Sequence, residues 1–457
     1  MRTEFPLTGN AEGVIWPPVF AQNGHLAALV MTLRETQWLD TETLAANQGR
    51  QLAILVAHHA QASPWFAQRL MEAVVQAPEI VHPDALIRLP VMTRAEAQTL
   101  SSLPETPVPQ THKPLIEAQS SGSSGIPVVA RKTQLTQLMW MAQTLRYHEW
   151  GQNGPFGRMA AIRPNIGVSP ESADWGNPVS LFHRTGALRR ISSDMALDDQ
   201  VRALQAFAPD GMITYPSIIA AFLAMPDGLG VLSSLTTLLT MGETVSPELR
   251  AAVREQTGHK LFDCYSSEEV GYIAVQCPEA DTYHIMAESV IVEILRDDGS
   301  VCATGEIGRV VVTDLMNLAM PFIRYDTGDY AVRGNNCSCG RGLPVIDRIA
   351  GRWRGMLTHA DGSRHWPRTG FHSYRSIAPV RQYQMIQHST DRIELRLAVP
   401  EPLSDAQTAA FEAKLRETIG DGFTFEIAAF PDRLPPGPRG KTDEFISLVG
   451  ELIEGKP

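Results

Sequence analysis

The sequence predicts an α/β protein with a large N-terminal α/β domain of several subdomains, one of them β-rich, followed by a small C-terminal α+β domain. Three observations predict this fold class. Short apolar runs alternate with helical stretches in mid-chain, strands joined by turns follow beyond Glu288, and a strand–helix–strand pattern comes last. Because 457 residues exceed what one hydrophobic core usually supports, more than one domain is expected. We place the domain boundary between residues 1–350 and 351–457.

The N-terminal part is predicted to be helical. Over residues 36–71, apolar side chains recur at the i, i+3, i+4 and i+7 spacing of one helix face. His58 and His59 lie on this helix and point in different directions, so we interpret them as a solvent-facing and a core-edge histidine rather than a metal pair. A proline-containing segment over 89–93 then interrupts the pattern, and Thr93 is a predicted N-cap.

The middle of the chain has the pattern of an α/β core. Buried strands are predicted over 211–215, 235–241 and 260–265, with a helix over 245–257 between the last two. The alternation of strand and helix is typical of a layered sheet with helices packed against it. This part of the chain should therefore contribute the main core of the large domain.

The last third of the chain changes from this alternation to strands and turns. Strands are predicted over 290–295 and 308–313, on either side of the turn signal Asp297-Asp298-Gly299. Ser404 and Gln407 form a predicted capping box at the start of a later helix. From about Trp353 we predict a separate small domain with a strand over 391–399, a helix over 404–419 and a strand over 423–430.

Charge, hydropathy and cysteine content disfavour several classes of protein. The formal net charge is -11, and because nucleic-acid binding needs clustered Lys and Arg, that class is disfavoured. The apolar run over 217–225 is about half the length of a membrane span, and no signal peptide is evident. Five cysteines in so long a chain do not form a disulfide framework. We expect a cytoplasmic enzyme of small substrates with no membrane partner.

Residues 119–127 carry the most informative local pattern, Gln-Ser-Ser-Gly-Ser-Ser-Gly-Ile-Pro. Glycine permits close backbone approach, serine hydroxyls donate hydrogen bonds, and successive backbone N–H groups can surround an anion. Such a loop suits a polyphosphate. By composition alone, a flexible connection remains the alternative. A Walker loop is excluded because no Gly-Lys-Ser/Thr follows.

This loop is the first of five motifs that occur in order along the chain. The others are Tyr265-Ser266-Ser267-Glu268-Glu269, Arg324-Tyr325-Asp326-Thr327-Gly328-Asp329, Gly351-Arg352 and Gly437-Pro438-Arg439-Gly440-Lys441. Together they resemble the adenylate-forming (acyl-CoA synthetase/luciferase-like) superfamily, and specifically its phenylacetate-CoA ligase-like branch, over nearly the whole chain. The resemblance implies that the small C-terminal domain is mobile.

The resemblance also implies a site for ATP or AMP. The residues that it assigns to the nucleotide are Ser120, Ser121, Gly122, Ser123, Ser124, Gly125, Gly242, Glu243, Thr244, Asp263, Tyr265, Ser266, Asp329 and Arg352. Tyr265 would stack beside adenine, Asp329 would bind the ribose diol, and Glu269 would hold Mg²⁺. On sequence grounds a core tyrosine, a turn-capping aspartate and a helix-entry turn at 242–244 remain alternatives.

The predicted reaction needs positive charge. An acyl adenylate forms when a carboxylate attacks the α-phosphorus of ATP, which brings two anions together as pyrophosphate leaves. Lys441 in its Gly/Pro-rich loop is assigned this task by resemblance to the family's catalytic lysine, although an exposed loop lysine is the alternative by sequence alone. Tyr215, Pro216 and Ser217 lie where this branch places its acyl pocket wall, with a plain turn as the alternative.

A second site is predicted from cysteine and histidine spacing. Cys277 and His284, followed by Cys337 and Cys339, supply three thiolates and an imidazole, a set compatible with tetrahedral Zn²⁺. Since four protein ligands leave no position for water, the zinc should be structural. The alternative is free cysteines in a reducing compartment. Several members of the resembled branch look similar here.

Two of the departures from the family pattern lie beside the serine/glycine loop and in the tyrosine motif. Val128 occupies a position where relatives carry a lysine or small polar residue, so the loop loses a charge, and the nearest cations are Arg131 and Lys132. Glu268 replaces a phosphate-binding threonine. Two like charges about 4 Å apart repel by on the order of 4 kcal/mol at an effective dielectric of 20, so Glu268 must turn away, protonate or share the metal.

The sequence thus predicts ATP-dependent activation of a carboxylic acid to acyl-AMP, followed by transfer to CoA. An aromatic acid is favoured by the resemblance alone. The alternatives are transfer to an amine or a carrier-protein thiol, and a non-catalytic nucleotide-binding relative. Relatives also suggest a homodimer.

Overall fold

The computed structural model describes residues 23–119, 127–151, 154, 156–164, 171–367, 374–431, 433–435 and 443–449. Within them the α-helices are α1 (Gly24–Thr36), α2 (Thr41–Ala62), α3 (Pro64–Glu72), α4 (Arg94–Ser102), α5 (Gln134–Trp150), α6 (Leu197–Phe207), α7 (Pro216–Leu223), α8 (Pro226–Ser234), α9 (Pro247–Thr257) and α10 (Asp405–Ile419).

The first strands in chain order are β1 (Ile116–Gln119), β2 (Val129–Lys132), β3 (Met159–Arg163), β4 (Glu171–Ser172), β5 (Leu188–Ser192), β6 (Gly211–Thr214), β7 (Thr237–Met241), β8 (Leu261–Ser267), β9 (Gly271–Gln276) and β10 (Tyr283–Ile285). The later ones are β11 (Val290–Leu295), β12 (Ile307–Asp314), β13 (Tyr325–Arg333), β14 (Val345–Arg352), β15 (Leu357–Thr358), β16 (Arg364–His365), β17 (Gln382–Ser389), β18 (Arg392–Ala398), β19 (Thr424–Phe430) and β20 (Phe445–Ser447).

The chain forms two compact units. Unit 1 comprises Met1–Pro155, Gly176–Arg184 and Cys264–Ala350, and unit 2 comprises Phe156–Trp175, Thr185–Asp263 and Gly351–Pro457. The chain is predicted to divide at residue 350 into two domains that move separately. The compact units do not test such movement, so this division stays a prediction. Among the described residues no single helix is long and apolar enough to cross a membrane; helices α7 and α8 reach that composition only as a pair bent by 118°.

Unit 1 combines helices with antiparallel strands. Strands β11, β12 and β13 pair antiparallel, β10 pairs with β9 and β14, and β1 pairs with β2. Leu52, Leu55 and Phe66 from α2 and α3 are fully buried against the segment that follows β12. The predicted β-rich subdomain is thus part of this unit, and its turn glycine Gly299 has φ of +86° as the turn signal requires.

Unit 2 contains the predicted α/β core. Strands β5, β3, β6 and β7 lie side by side and parallel, with the short β4 antiparallel at the edge. Buried on both faces, β6 has no exposed residue, as expected for a central parallel strand. The C-terminal strands form a separate sheet in the order β19, β18, β17, β20, with α10 packed through Phe411 and Leu415. The mixed α/β fold class is confirmed.

Local capping signals explain where helices start. The hydroxyl of Thr93 accepts from the N–H of Glu96 while the Glu96 carboxylate accepts from the N–H of Thr93, so the predicted N-cap is part of a capping box. Ser404 and Gln407 make the same arrangement at α10. The helical pattern of residues 36–71 is two helices, α2 and α3, rather than one, because Asp40 and Ser63 each cap a new helix.

Candidate functional site

Two residues that are predicted to bind the nucleotide are in contact in unit 1. Tyr265, near the end of β8, donates its hydroxyl hydrogen to Asp329 Oδ2 at 2.7 Å, and its oxygen lies 3.3 Å from Thr327 Oγ1. Asp329 sits in β13, where Gly328 has φ of +76°. A register shift between Tyr265 and Ser266 forms a bulge, which changes the direction of the side chains that follow. The second and third motifs therefore contact each other, although they are distant in sequence.

Glu269 is buried and held by residues from two other elements. Its carboxylate Oε1 lies 3.4 Å from Arg94 Nη1 and 3.5 Å from the hydroxyl of Tyr325. Burial, together with the charge of Glu269, raises the pKa of Tyr325 well above its usual range. Arg94 is the first residue of α4, directly after the Thr93 cap, so the capping box fixes where this cation enters the site. Glu268 is exposed, as expected for a carboxylate that turns away.

The arginine that opens the third motif is structural. Arg324 is 3% exposed, has φ of +54°, and binds both carboxylate oxygens of Glu293 at 2.8 and 2.9 Å. The N–H of Met92 donates to the carbonyl of Arg324, and the N–H of Asp326 donates to the carbonyl of Met92. The proline-containing segment before α4 thus pairs with the motif and holds Tyr325 in place. Left-handed backbone at an arginine costs on the order of 1 kcal/mol, which these contacts offset.

Two predicted parts of the site lie outside the described residues: Lys441 and the loop Ser120, Ser121, Gly122, Ser123, Ser124, Gly125. Their roles stay predictions. Val128, just after the loop, is fully buried.

Unit 2 brings together the predicted acyl wall and the segment 242–244. The carboxylate of Glu243 accepts from the backbone N–H of Ser217 at 3.0 Å and from its hydroxyl at 3.1 Å. Ser217 is in the first turn of α7, where a carboxylate is favoured by the exposed N–H groups and the helix dipole. Pro216 starts this helix and Tyr215 is buried beside it. Since β6 and β7 are parallel, the residues that follow them lie at the same sheet edge.

The remaining predicted residues of unit 2 lie near this edge. Asp263 is buried in β8 and accepts from Thr240 Oγ1 at 2.8 Å. Gly351 has φ of +110°, and a Cβ built there would lie 3.5 Å from Thr244 Oγ1, so the fourth motif borders the 242–244 segment. Gly242, with φ of +78°, makes the turn that carries the chain out of β7. The neighbouring Arg352 is exposed.

The four predicted zinc ligands converge in unit 1. Ligand atoms of Cys277, His284, Cys337 and Cys339 all lie within 4.8 Å of one another. Cys337 Sγ is 3.6 Å from Cys277 Sγ, and Cys339 Sγ is 3.2 Å from His284 Nε2. These spacings suit atoms on a tetrahedron with bonds of roughly 2.0–2.3 Å to a central Zn²⁺. His284 Nδ1 faces the carbonyl of Leu343 at 3.3 Å, which leaves Nε2 for a metal.

The side chains of His284, Cys277 and Cys339 in this cluster have pKa values shifted in different directions. Burial lowers the pKa of His284 to about 4, so the imidazole is neutral at pH 7, as a metal ligand must be. Burial raises the pKa of Cys277 to about 11. For Cys339 burial is outweighed by hydrogen bonds from Arg341, and the net pKa is lowered. A divalent metal bound here would hold its cysteine ligands as thiolates.

Sequence reasoning assigned no role to Arg94 or to Tyr325 as contacts of Glu269. Tyr325 stood inside a recognised motif, and Arg94 followed a recognised cap, so both signals were present. The contacts of Arg94 and Tyr325 with Glu269 depend on the pairing of Met92 with Tyr325. That pairing joins segments distant in sequence and forms only in the folded chain.

No protein-family model matches the chain. A phenylacetate-coenzyme A ligase of Thermus thermophilus is 25% identical over 441 residues, which cover 89% of this chain and 96% of that protein. A phenylacetate-coenzyme A ligase of Escherichia coli is 25% identical over 327 residues, which cover 69% and 72%. The chain is similar to phenylacetate-CoA ligases. The resemblance predicted from the five motifs is confirmed, and it supports an AMP-forming acid–CoA ligase.

Solved structures agree with this result at the level of the fold. A 2-hydroxyisobutyryl-CoA ligase in the postadenylation state, in complex with 2-HIB-AMP, matches with a TM-score of 0.68 and 15% identity, covering 92% of this chain and 94% of that one. The same ligase with 2-HIB-AMP and CoA in the thioesterification state matches with a TM-score of 0.57 and 14% identity, covering 92% and 93%. At these identities the likeness shows the fold.

Proposed function

We propose that this protein is an ATP-dependent ligase that converts a carboxylic acid to acyl-AMP, with release of pyrophosphate, and then transfers the acyl group to CoA. The contact that carries the proposal is the 2.7 Å hydrogen bond between Tyr265 and Asp329. It joins two motifs into an arrangement of one aromatic ring and one carboxylate, which suits a base and the ribose diol of an adenine nucleotide.

The unit 1 residues have distinct tasks in this proposal. Asp329 accepts hydrogen bonds from the ribose hydroxyls, and Tyr265 holds that carboxylate while its ring borders adenine. Glu269 is the oxygen ligand for Mg²⁺, which would supply charge neutralisation at the phosphates. Arg94 orients the carboxylate of Glu269 across the 3.4 Å contact. Lys441 approaches the α-phosphate, and the loop over 120–125 holds the departing phosphates.

Tyr215, Pro216 and Ser217 of unit 2 are the proposed wall for the acyl group. Glu243 fixes the start of α7 through Ser217, so that Tyr215 and Pro216 form a rigid wall. An aromatic acid is favoured by the similarity to ligases named for phenylacetate. We further propose a structural Zn²⁺ on Cys277, His284, Cys337 and Cys339, supported by their convergence and by the carbonyl behind His284.

The proposal is tested by carboxylate-dependent exchange of labelled pyrophosphate into ATP, using a panel of aliphatic and aromatic acids. Wild-type protein should exchange with at least one acid, and Lys441→Ala should reduce that exchange by at least 10²-fold, because electrostatic stabilisation of this kind contributes roughly that much. Lys414→Ala, which removes a surface lysine paired with Glu417, is the matched control and should exchange normally. Exchange by Lys441→Ala at the wild-type rate contradicts the role of Lys441.

The acceptor is tested separately from adenylation. With the active acid, thioester formation is measured with CoA, and amide or carrier-bound products with amines and carrier proteins. CoA consumption matched to AMP release supports the ligase. Amide formation without CoA consumption points to an amide-forming enzyme, and ATP binding without exchange points to a non-catalytic relative.

A further inference from the structure

Helix α7 in unit 2 is short, apolar and almost entirely buried. All of its residues except Ser217 are buried, and its first residue, Pro216, belongs to the proposed wall for the acyl group. Because a helix of eight residues is too short to be stable by itself, its position depends on contacts with its neighbours. The groups that hold α7 therefore determine where the wall stands.

Opposite charges hold the two ends of α7. At its start, the carboxylate of Glu243 accepts from the N–H and the hydroxyl of Ser217 at 3.0 and 3.1 Å. Towards its end, Nη2 of Arg375 donates to the backbone carbonyl of Ala220 at 2.7 Å. The helix dipole favours an anion at the N-terminus and a cation near the C-terminus. Glu243 and Arg375 thus both stabilise the helix from outside.

The last turn of α7 explains why the carbonyl of Ala220 takes an external donor. In a regular α-helix the N–H of Ala224 would pair with Ala220, but here it donates to the carbonyl of Ala221 at 3.0 Å. A buried carbonyl that lacks a hydrogen bond is unfavourable. The guanidinium of Arg375 supplies the hydrogen bond that the tightened last turn does not.

Arg375 comes from the C-terminal segment, and its backbone is fixed there. The neighbouring Tyr374 is 1% exposed and packs edge-on against Tyr383 of β17, with ring centroids 5.2 Å apart. The ring of Tyr374 also lies 6.0 Å from that of Phe411 in α10. Burial lowers the pKa of Arg375 to about 10, so the guanidinium is still charged at pH 7. The contact with Ala220 therefore joins the C-terminal sheet to α7.

We propose that Arg375 is a positioning residue for the acyl pocket: by binding the carbonyl of Ala220 it fixes α7, so that Tyr215 and Pro216 present a defined surface to the carboxylic acid. The inference rests on the proposed function for the identity of the substrate. It gives the C-terminal segment a part in recognition of the acid, through a residue that is remote in sequence from the wall.

Two other arginines of the C-terminal segment provide matched controls. Arg381 Nη1 lies 3.1 Å from Asp198 Oδ2, and Arg433 Nη1 donates to the carbonyl of Met195 at 3.1 Å. Both contacts are made with the start of α6 or the residues just before it. Removing either side chain weakens the attachment of the same C-terminal segment at a place outside α7.

The test measures the KM for the acid and the KM for ATP separately in pyrophosphate exchange, with the acid that wild type uses best. Arg375→Met keeps an apolar stem but removes the donor and its charge. The KM for the acid should rise on the order of tenfold, while the KM for ATP should change by less than about twofold. Arg375→Lys retains a charged donor and should restore most of the loss. Arg381→Met and Arg433→Met should keep the KM for the acid within about twofold of wild type.

Hydrogen exchange of the α7 amides is a second readout that requires no acid. The amides of residues 220–223 should exchange roughly tenfold faster in Arg375→Met than in wild type, and at the wild-type rate in Arg381→Met. Far-UV circular dichroism establishes that each variant is folded. Arg375→Gln, which keeps a neutral donor on a shorter side chain, replaces Arg375→Met if that variant is unfolded, and it should change both readouts in the same direction by at least about threefold.

Three outcomes overturn the inference. The first is a KM for the acid in Arg375→Met equal to that of wild type. The second is an equal rise in the KM for the acid and the KM for ATP, and the third is an equal rise of the KM for the acid in Arg375→Met and Arg381→Met. If wild type exchanges pyrophosphate with none of the acids, the proposed function fails. Hydrogen exchange then decides separately whether Arg375 holds α7, and unchanged rates in Arg375→Met would contradict that role.

Discussion

At the scale of single residues, the site depends on side chains that were recognised one motif at a time but act in pairs. Tyr265 was predicted as a base-stacking residue and Asp329 as a ribose ligand. The structure joins them by a hydrogen bond, and it gives Glu269 the partner Arg94. The sequence could not predict these pairs, because each depends on how strands from distant segments are placed beside one another.

The role of the Tyr265 hydroxyl in ATP binding can be tested with the variant Tyr265→Phe. The ring is retained, but Asp329 loses a hydrogen bond at 2.7 Å, so ATP affinity should fall roughly tenfold, consistent with a hydrogen bond to a charged group. The KM for ATP in pyrophosphate exchange is the measurement. Tyr374→Phe, which removes a hydroxyl that faces Met385 Sδ in unit 2, is the control and should leave this KM unchanged.

A second residue-scale prediction concerns His59, interpreted from the sequence as a core-edge histidine. It is fully buried, its Nε2–H donates to the carbonyl of Asn317 at 3.0 Å, and burial lowers its pKa to about 3. Because the unfolded chain binds a proton near pH 6.5 and the folded chain does not, His59 favours unfolding as the pH falls from 6.5 towards 3.

Lowering the pH from 7 to 4.5 should therefore reduce the free energy of unfolding of wild type by on the order of 3 kcal/mol more than that of His59→Gln. Denaturant unfolding of both proteins at the two pH values measures this difference. His58→Gln on the neighbouring position should follow the wild-type pH dependence. Parallel pH profiles for wild type and His59→Gln would show that the burial of this imidazole is not maintained in solution.

At the scale of elements, local signals determined most helix starts and strand centres. The N-cap predicted for α4 and the capping box predicted for α10 both form. The strand over 290–295 has the predicted bounds, whereas the strand predicted over 260–265 continues to Ser267, because pairing with β9 extends it. The break of the first helical pattern at Ser63 was missed, although Ser63-Pro64 is a common helix start.

The end of α3 offers an element-scale prediction. Val74 is 85% exposed with φ of +55°, a left-handed conformation that is unfavourable for a β-branched residue. The N–H of Val75 donates to the carbonyl of Leu70, which completes the helix end and holds Val74 in this conformation. Val74→Gly should therefore stabilise the protein by about 1 kcal/mol in denaturant unfolding.

The control for this substitution is Val81→Gly, at an exposed valine that is not among the positive-φ residues. It should be neutral or destabilising by about 0.5–1 kcal/mol, because glycine there adds only backbone entropy to the unfolded chain. Equal effects of the two substitutions would argue against the left-handed conformation at Val74.

At the scale of the whole molecule, the candidate zinc cluster links segments far apart in the sequence of unit 1. Removing the metal with a chelator, or making Cys337→Ser, should lower the melting temperature by on the order of 10 °C, since a structural zinc contributes several kcal/mol to folding. Elemental analysis of purified wild type should find about one Zn²⁺ per chain. Cys302→Ala, at a buried cysteine outside the cluster, is the control for zinc content.

The sequence by itself determined the fold class, the order of the motifs and the residue types of both candidate sites, because these depend on local periodicity, caps and residue chemistry. Tertiary structure decided which residues meet: Tyr265 with Asp329, Arg94 with Glu269, Ser217 with Glu243, and the four candidate zinc ligands. It also decided that Val128 is buried. Burial and long-range electrostatics depend on distances between segments remote along the chain, and local sequence patterns do not encode those distances.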